Sequence, residues 1–335
     1  MEINRFNYSN ISTHRNKLMG IGTLSVLVLH FLYWCNLFDS SYPIVKILKI
    51  IPRLVFTDGF IILSGFGLFY SFTKNRNILN FYYKRFLRLY FPFVIMSFIF
   101  YIFLCNSIKN YLLSVSGLYF FFYGNNGMWY ISISLFFYLL FPFLYKTLKN
   151  FYTECITLSL LTLFPLAIYW VFPNYFSLTE IGITLFPYFY FGIILGKLSY
   201  EKKEIKIWHL IILVILACLL FICKDFTICL KHYYHSYIRL LTIFVLSFLF
   251  EVSGKLKISY FCLSYLGRYS LEIYILHMLS YQLLSRYINI SWINCVIAIL
   301  ASLIFCKPVN LLYTNIIKSI IKRIFVKKGE NVHTL

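Results

Sequence analysis

The stretch LMGIGTLSVLVLHFLYWCNLF, Leu18 to Phe38, decides how the rest of the chain is read. As a helix it is about long enough to cross the hydrocarbon core of a bilayer. His30 lies well inside it, with Arg15 and Lys17 just before it. An imidazole is unfavourable in hydrocarbon, so His30 should face the protein interior, and an ionisable residue at that depth is a functional candidate by default. The competing reading is a histidine that merely hydrogen-bonds a neighbouring helix. The remainder of the chain has to separate the two.

The 335 residues are 61% hydrophobic and only 13% charged, with a mean hydropathy of +0.77. A soluble protein could not hide that much apolar surface, and repeated long apolar runs indicate an all-α, polytopic membrane protein. Transmembrane barrels show short alternating segments instead. The first run lacks a small-residue cleavage site and is long for a signal-peptide core, so it is expected to be a retained span. The net charge of +20 clusters between apolar runs, as membrane topology and anionic headgroups require. Nucleic acid is not an expected partner. The nine cysteines lie mostly within apolar runs and form no CxxC pair, which argues against a zinc site or a disulfide framework.

About ten spans are expected: Leu18–Phe38, Leu54–Phe72, Phe86–Leu104, Met128–Tyr145, Cys155–Phe172, Ile181–Leu198, Ile207–Cys223, Tyr237–Val252, Ser270–Leu284 and Trp292–Leu312. Tyr111–Tyr123 is short and interrupted by Ser114, Ser116 and Gly117, and reads as a re-entrant or interfacial segment. A cytoplasmic N-terminus puts 22 lysines and arginines in inside segments against 8 outside, with Lys307 in the last span. That asymmetry predicts both termini in the cytoplasm. Gly192 and Gly196 form a GxxxG step, and Ser64, Gly67 and Ser71 share a helix face; both patterns read as close helix packing. No repeat or appended soluble domain is evident, so residues 1–335 are expected to form a single transmembrane domain.

Three places carry ionisable groups that a membrane protein would not keep idly. Lys84, Arg85 and Arg88 open the third run, and Arg85 and Arg88, three apart, share a helix face. A guanidinium pair there could clamp phosphate bidentately or simply be topogenic charge. Asp58 lies about a turn into the second run, at a depth where it could orient His30 or cap its own helix. Ser270–His277 holds Glu272 and His277 about 140° apart on one helix, so both should not point the same way. No metal-ligand spacing or nucleotide-binding loop appears. His232 and His235 read as residues of a polar loop.

Five landmarks, in order, resemble the acyltransferase 3 family of membrane O-acyltransferases: MGIGTLSVLVLH ending in His30, DGFIILSGFGL from Asp58 to Leu68, the R-x-x-R of FYYKRFLRLYFPF, WYI at Trp129–Ile131, and GRYSLEIYILH ending in His277. The resemblance implies about ten membrane helices and transfer of an acyl group, often acetyl from acetyl-CoA, to a hydroxyl of a cell-surface glycan or glycolipid precursor. It implies a catalytic His30, with Arg85 and Arg88 holding the donor. Many members carry arginine immediately before the glycine of the first motif; this chain has Met19 before Gly20, and Arg15, a helical turn earlier, is the candidate replacement. Read together, the expected catalytic set is His30, Asp58, Glu272 and His277, and the donor-binding set is Arg15, Lys84, Arg85 and Arg88, with acyl-CoA as a substrate and no metal. A transporter of a lipid-linked saccharide and a non-catalytic partner in envelope assembly are the other readings; the absence of a half-chain repeat weighs against the first.

Overall fold

A computed structural model describes residues 7–104, 107–124, 127–255 and 259–326. Apart from an isolated bridge between Asn7 and Glu204, the described residues hold no strand. The first helix, α1 (Ser9–Trp34), begins nine residues before the apolar run. It is the axis of the bundle, in contact with the helices that follow as α3, α11, α13, α14, α15 and α16.

A short helix α2 (Pro43–Leu48) and a 3-10 turn lead into α3 (Phe56–Lys74). The third run is not one regular helix. It starts as α4 (Ile78–Arg85), passes through a π-helical turn at Phe86–Tyr90 and continues as α5 (Phe91–Leu104). The interrupted stretch after it forms two short helices, α6 (Ile108–Val115) and α7 (Tyr119–Tyr123), separated near Gly117, whose φ of +77° suits glycine. Neither is long enough to span a membrane. Next come α8 (Trp129–Lys146), α9 (Phe151–Val171), α10 (Pro173–Ile183), α11 (Phe186–Tyr200), α12 (Ile207–Cys223) and α13 (Ile228–Lys255). The chain closes with α14 (Phe261–Arg268), α15 (Ser270–Leu284) and α16 (Ser291–Val326).

Each expected apolar run is mostly helical, although Ile181–Leu198 is divided by a turn at Thr184–Leu185 and the first helix ends at Trp34, short of Phe38. Among the described residues, six helical stretches could cross a membrane by length and composition: Ser9–Trp34, Trp129–Lys146, Phe151–Val171, Pro173–Tyr200, Ile228–Gly254 and Ser291–Ile316. Most of the others are shorter or interrupted, as with the 14 residues of α5 and the 15 of α15, while the 19-residue α3 carries Asp58 and Lys74. Leu160, Leu163, Val214 and Ile215, on α9 and α12, point outward at more than half exposure, which suits lipid and would aggregate in water. One expectation is corrected: His232 and His235 are not in a loop. The helix starts at Ile228, and His232 Nε2 lies 3.6 Å from Glu180 Oε1.

Helix α3 is held on two sides. Against α11 the backbones nearly touch: a Cβ at Gly192 would stand 2.1 Å from the Ile62 carbonyl oxygen, and one at Gly65 would stand 2.3 Å from that of Phe189. The GxxxG step is therefore a packing device. On its other side, Asp58 (5% exposed) receives hydrogen bonds from Arg239 and Ser236 of α13, the latter at 2.6 Å, and from Thr57. Neither expectation for Asp58 is met. It caps no helix, and no hydrogen bond joins it to His30. Its desolvated charge is matched instead by a cation 181 residues away.

Breaking a buried ion pair from one side leaves the other charge stranded, at a cost of about 3–5 kcal/mol. Asp58→Ala should lower the thermal midpoint in lipid nanodiscs accordingly, and Asp58→Ala/Arg239→Met should recover most of the loss. A double variant as unstable as the single one would show that the pairing is not what fixes α3 to α13.

Candidate functional site

Arg15, one turn before Met19 on α1, turns toward α3: its Nε donates to the Leu63 carbonyl at 3.3 Å. Its guanidinium lies against Gly67, where a Cβ would meet Nη2 at 2.9 Å. Arg85 donates to the Ser71 hydroxyl from α4, with its guanidinium over the Phe81 ring. Arg88 sits within the π turn, a distortion of the helix that is often found at functional sites. All three arginines, with Lys74 and Arg268, line one cavity of about 570 Å³. Lys84 is exposed and lines no part of it.

Ser64, Gly67 and Ser71 were expected to be a packing face. They line the cavity instead, and α3 packs on α11 through Gly65. The two glycines therefore serve opposite ends: Gly65 brings backbones together, and Gly67 leaves room for a guanidinium.

Glu272, in the first turn of α15, is the one carboxylate among the described lining residues. A helix N-terminus favours negative charge. Its Oε1 accepts from Asn310 Nδ2 at 2.6 Å and from the Tyr313 hydroxyl, both on α16. Five basic side chains thus face a single, already engaged acid. Arg15 and Arg85 are half-buried, while Lys74, Arg88 and Arg268 are exposed; mutually repelling cations gathered along one cavity are suited to a polyanion.

The cavity then passes hydroxyls from Thr23, Ser64, Tyr130 and Tyr274 and reaches His277, which is fully buried on α15. It wraps far enough around α15 to touch both Glu272 and His277, so their angular separation does not keep them apart. His277 Nδ1 lies 2.8 Å from the Ile273 carbonyl oxygen, which can only accept, so Nδ1 carries the proton. In the neutral ring Nε2 is then an acceptor. It lies 2.8 Å from Nδ1 of His30, 247 residues earlier in the chain. His30 therefore donates from Nδ1, leaving its own Nε2 with a free electron pair and no hydrogen-bond partner among the described residues. A backbone carbonyl fixes two tautomers in series. His30 stands behind His277, half-buried, and is itself absent from the cavity lining.

Trp34, one turn beyond His30, stacks on it with ring centres 4.9 Å apart at 19°, and Tyr281 lies under Trp34 at 3.7 Å and 4°. Sequence reading missed the histidine pairing, the contributions of Lys74 and Arg268, and the Asn310–Tyr313 support of Glu272. Only Asn310 carried a signal, a polar amide inside the last apolar run.

A family model described as an acyltransferase domain matches residues 18–309. No curated protein and no solved structure matches the chain.

The two kinds of glycine can be separated experimentally. Gly192→Ala must displace backbone and should cut folded yield and thermal stability sharply. Gly67→Ala meets only the tip of a flexible arginine, so it should stay within about 1 kcal/mol of the parent in a thermal melt. Equal losses in both would make Gly67 a packing residue.

Proposed function

This chain belongs to the acyltransferase 3 family, and from that membership we propose that this membrane acyltransferase moves an acyl group from acyl-CoA, most simply acetyl-CoA, to a hydroxyl of a cell-surface polysaccharide or glycolipid precursor. The observation that carries the reading is the single cavity that runs from the basic cluster to His277, whose Nε2 in turn accepts from His30 Nδ1. From Arg15 to His30 is fifteen steps along α1, roughly 22 Å at 1.5 Å per residue. A donor that engages both must separate its anionic groups from its reactive group by a comparable length. Coenzyme A does so, with phosphates at one end and the thioester at the end of a long arm. A compact donor such as an acyl phosphate does not.

On this reading Arg15, Arg85 and Arg88 bind phosphates, and the charge asymmetry of the loops supports a cytoplasmic position for that end of the cavity and for both termini. The acceptor hydroxyl gives its proton to His30 Nε2 as its oxygen bonds to the thioester carbonyl carbon. The tetrahedral intermediate collapses by breaking the C–S bond, and the departing thiolate takes the proton back from the imidazolium. His277 neither gains nor loses a proton. It holds His30 in the tautomer that exposes Nε2. Asp58, bound to Arg239, has no part in this chemistry.

The basic cluster and the histidine pair should fail differently. Labelled acetyl-CoA is supplied to membranes containing the full chain, and alkali-labile acetyl ester on the glycan fraction is measured against donor concentration. His30→Ala, at normal abundance, should lose 10²–10⁴-fold in kcat, as expected for removal of a positioned base. Arg85→Ala/Arg88→Ala should act mainly by raising the KM for donor. Near-parental transfer by His30→Ala would end the proposed mechanism.

A further inference from the structure

Accepting a proton makes His30 a cation, and its surroundings contain little to balance it. Among the described residues no carboxylate bonds to either ring of the pair. Asp58 is committed to Arg239, and Glu272 to Asn310 and Tyr313. The charged side chains lining the cavity are themselves mostly cationic. Two groups do contact the His30 ring. His277 Nε2 accepts from its Nδ1 at 2.8 Å, and the indole of Trp34 lies nearly parallel to it at 4.9 Å.

The face of an indole is the best of the aromatic faces for binding a cation within about 6 Å. Here it is pre-placed. Trp34 is one helical turn beyond His30, Tyr281 is one turn beyond His277, and the Tyr281 ring lies flat against Trp34 at 3.7 Å and 4°. The two turns thus form a ladder, histidine on histidine and indole on phenol, in which Tyr281 sets the plane of Trp34 and Trp34 sets the plane of His30.

Resting on the reading of His30 as the base, we propose that Trp34 is a positioning residue that stabilises the His30 imidazolium through its π-face, in place of the carboxylate that a catalytic histidine commonly uses. The charge exists only after proton transfer begins, so the interaction strengthens toward the transition state and acts on kcat rather than on donor binding.

Fluorination withdraws electron density from the indole face while barely changing its shape. Full-length protein carrying mono-, di-, tri- or tetrafluorotryptophan at position 34, introduced at an amber codon, is assayed for transfer from labelled acetyl-CoA to the glycan of native membranes. The expected result is a stepwise fall in kcat with each fluorine, reaching about 2- to 30-fold in the tetrafluoro form, with donor KM unchanged. A flat series overturns the proposal, and it does so even if Trp34→Leu is inactive, because Trp34 would then be packing alone. His30→Ala in parallel keeps the two ideas apart. If it retains activity the base assignment fails; if it is dead while the series is flat, only the role of Trp34 fails.

Discussion

A charged or polar group taken out of water must find a partner inside the protein, and in hydrocarbon no solvent can substitute. That constraint sorts the buried polar side chains of this molecule into two groups. Asp58 with Arg239, and Lys197 with Glu154 at 2.5 Å, are matched and tie helices together. Arg15, Arg85 and Arg88 have no acidic partner among the described residues. They line one cavity together, and cations so close to one another repel. The matched groups hold the frame that keeps the unmatched ones in place: α3, clamped between α11 and α13, is also the wall from which Gly67 and Ser71 meet Arg15 and Arg85.

Much of this was legible in order along the chain, because each helix writes its own hydrophobic run. His30 announced itself as an imidazole deep in the first run, and the R-x-x-R as a guanidinium pair at a boundary. What sequence could not supply was partnership across distance. The spacing of His30 and His277 carries no trace of their 2.8 Å contact, and nothing in the order of residues marks Arg239, 181 positions away, as the partner of Asp58. The ionic partner of Asp58 was therefore sought in the wrong place.

Spacing rules also misled where they assumed regularity. Ser64, Gly67 and Ser71 have the periodicity of a packing stripe, yet neighbouring Gly65 makes the close contact and the stripe faces the cavity. Small residues allow close approach, but pattern alone does not say whether a helix or a ligand does the approaching. The departure at Met19 shows the converse. Arg15 lies a turn earlier, and a helix that starts at Ser9 carries it into the same enclosure as Arg85 and Arg88.

The separation of the basic cluster from the histidines has a further consequence for turnover. If the donor is acyl-CoA, the arginines grip phosphates that the reaction leaves untouched, so spent coenzyme retains nearly all the contacts of the donor. Such uniform binding lowers KM without favouring the transition state. The spent carrier then competes with the loaded one on nearly equal terms, and the speed of the catalyst follows the ratio of acylated to free coenzyme in the compartment that supplies it rather than the amount of either alone.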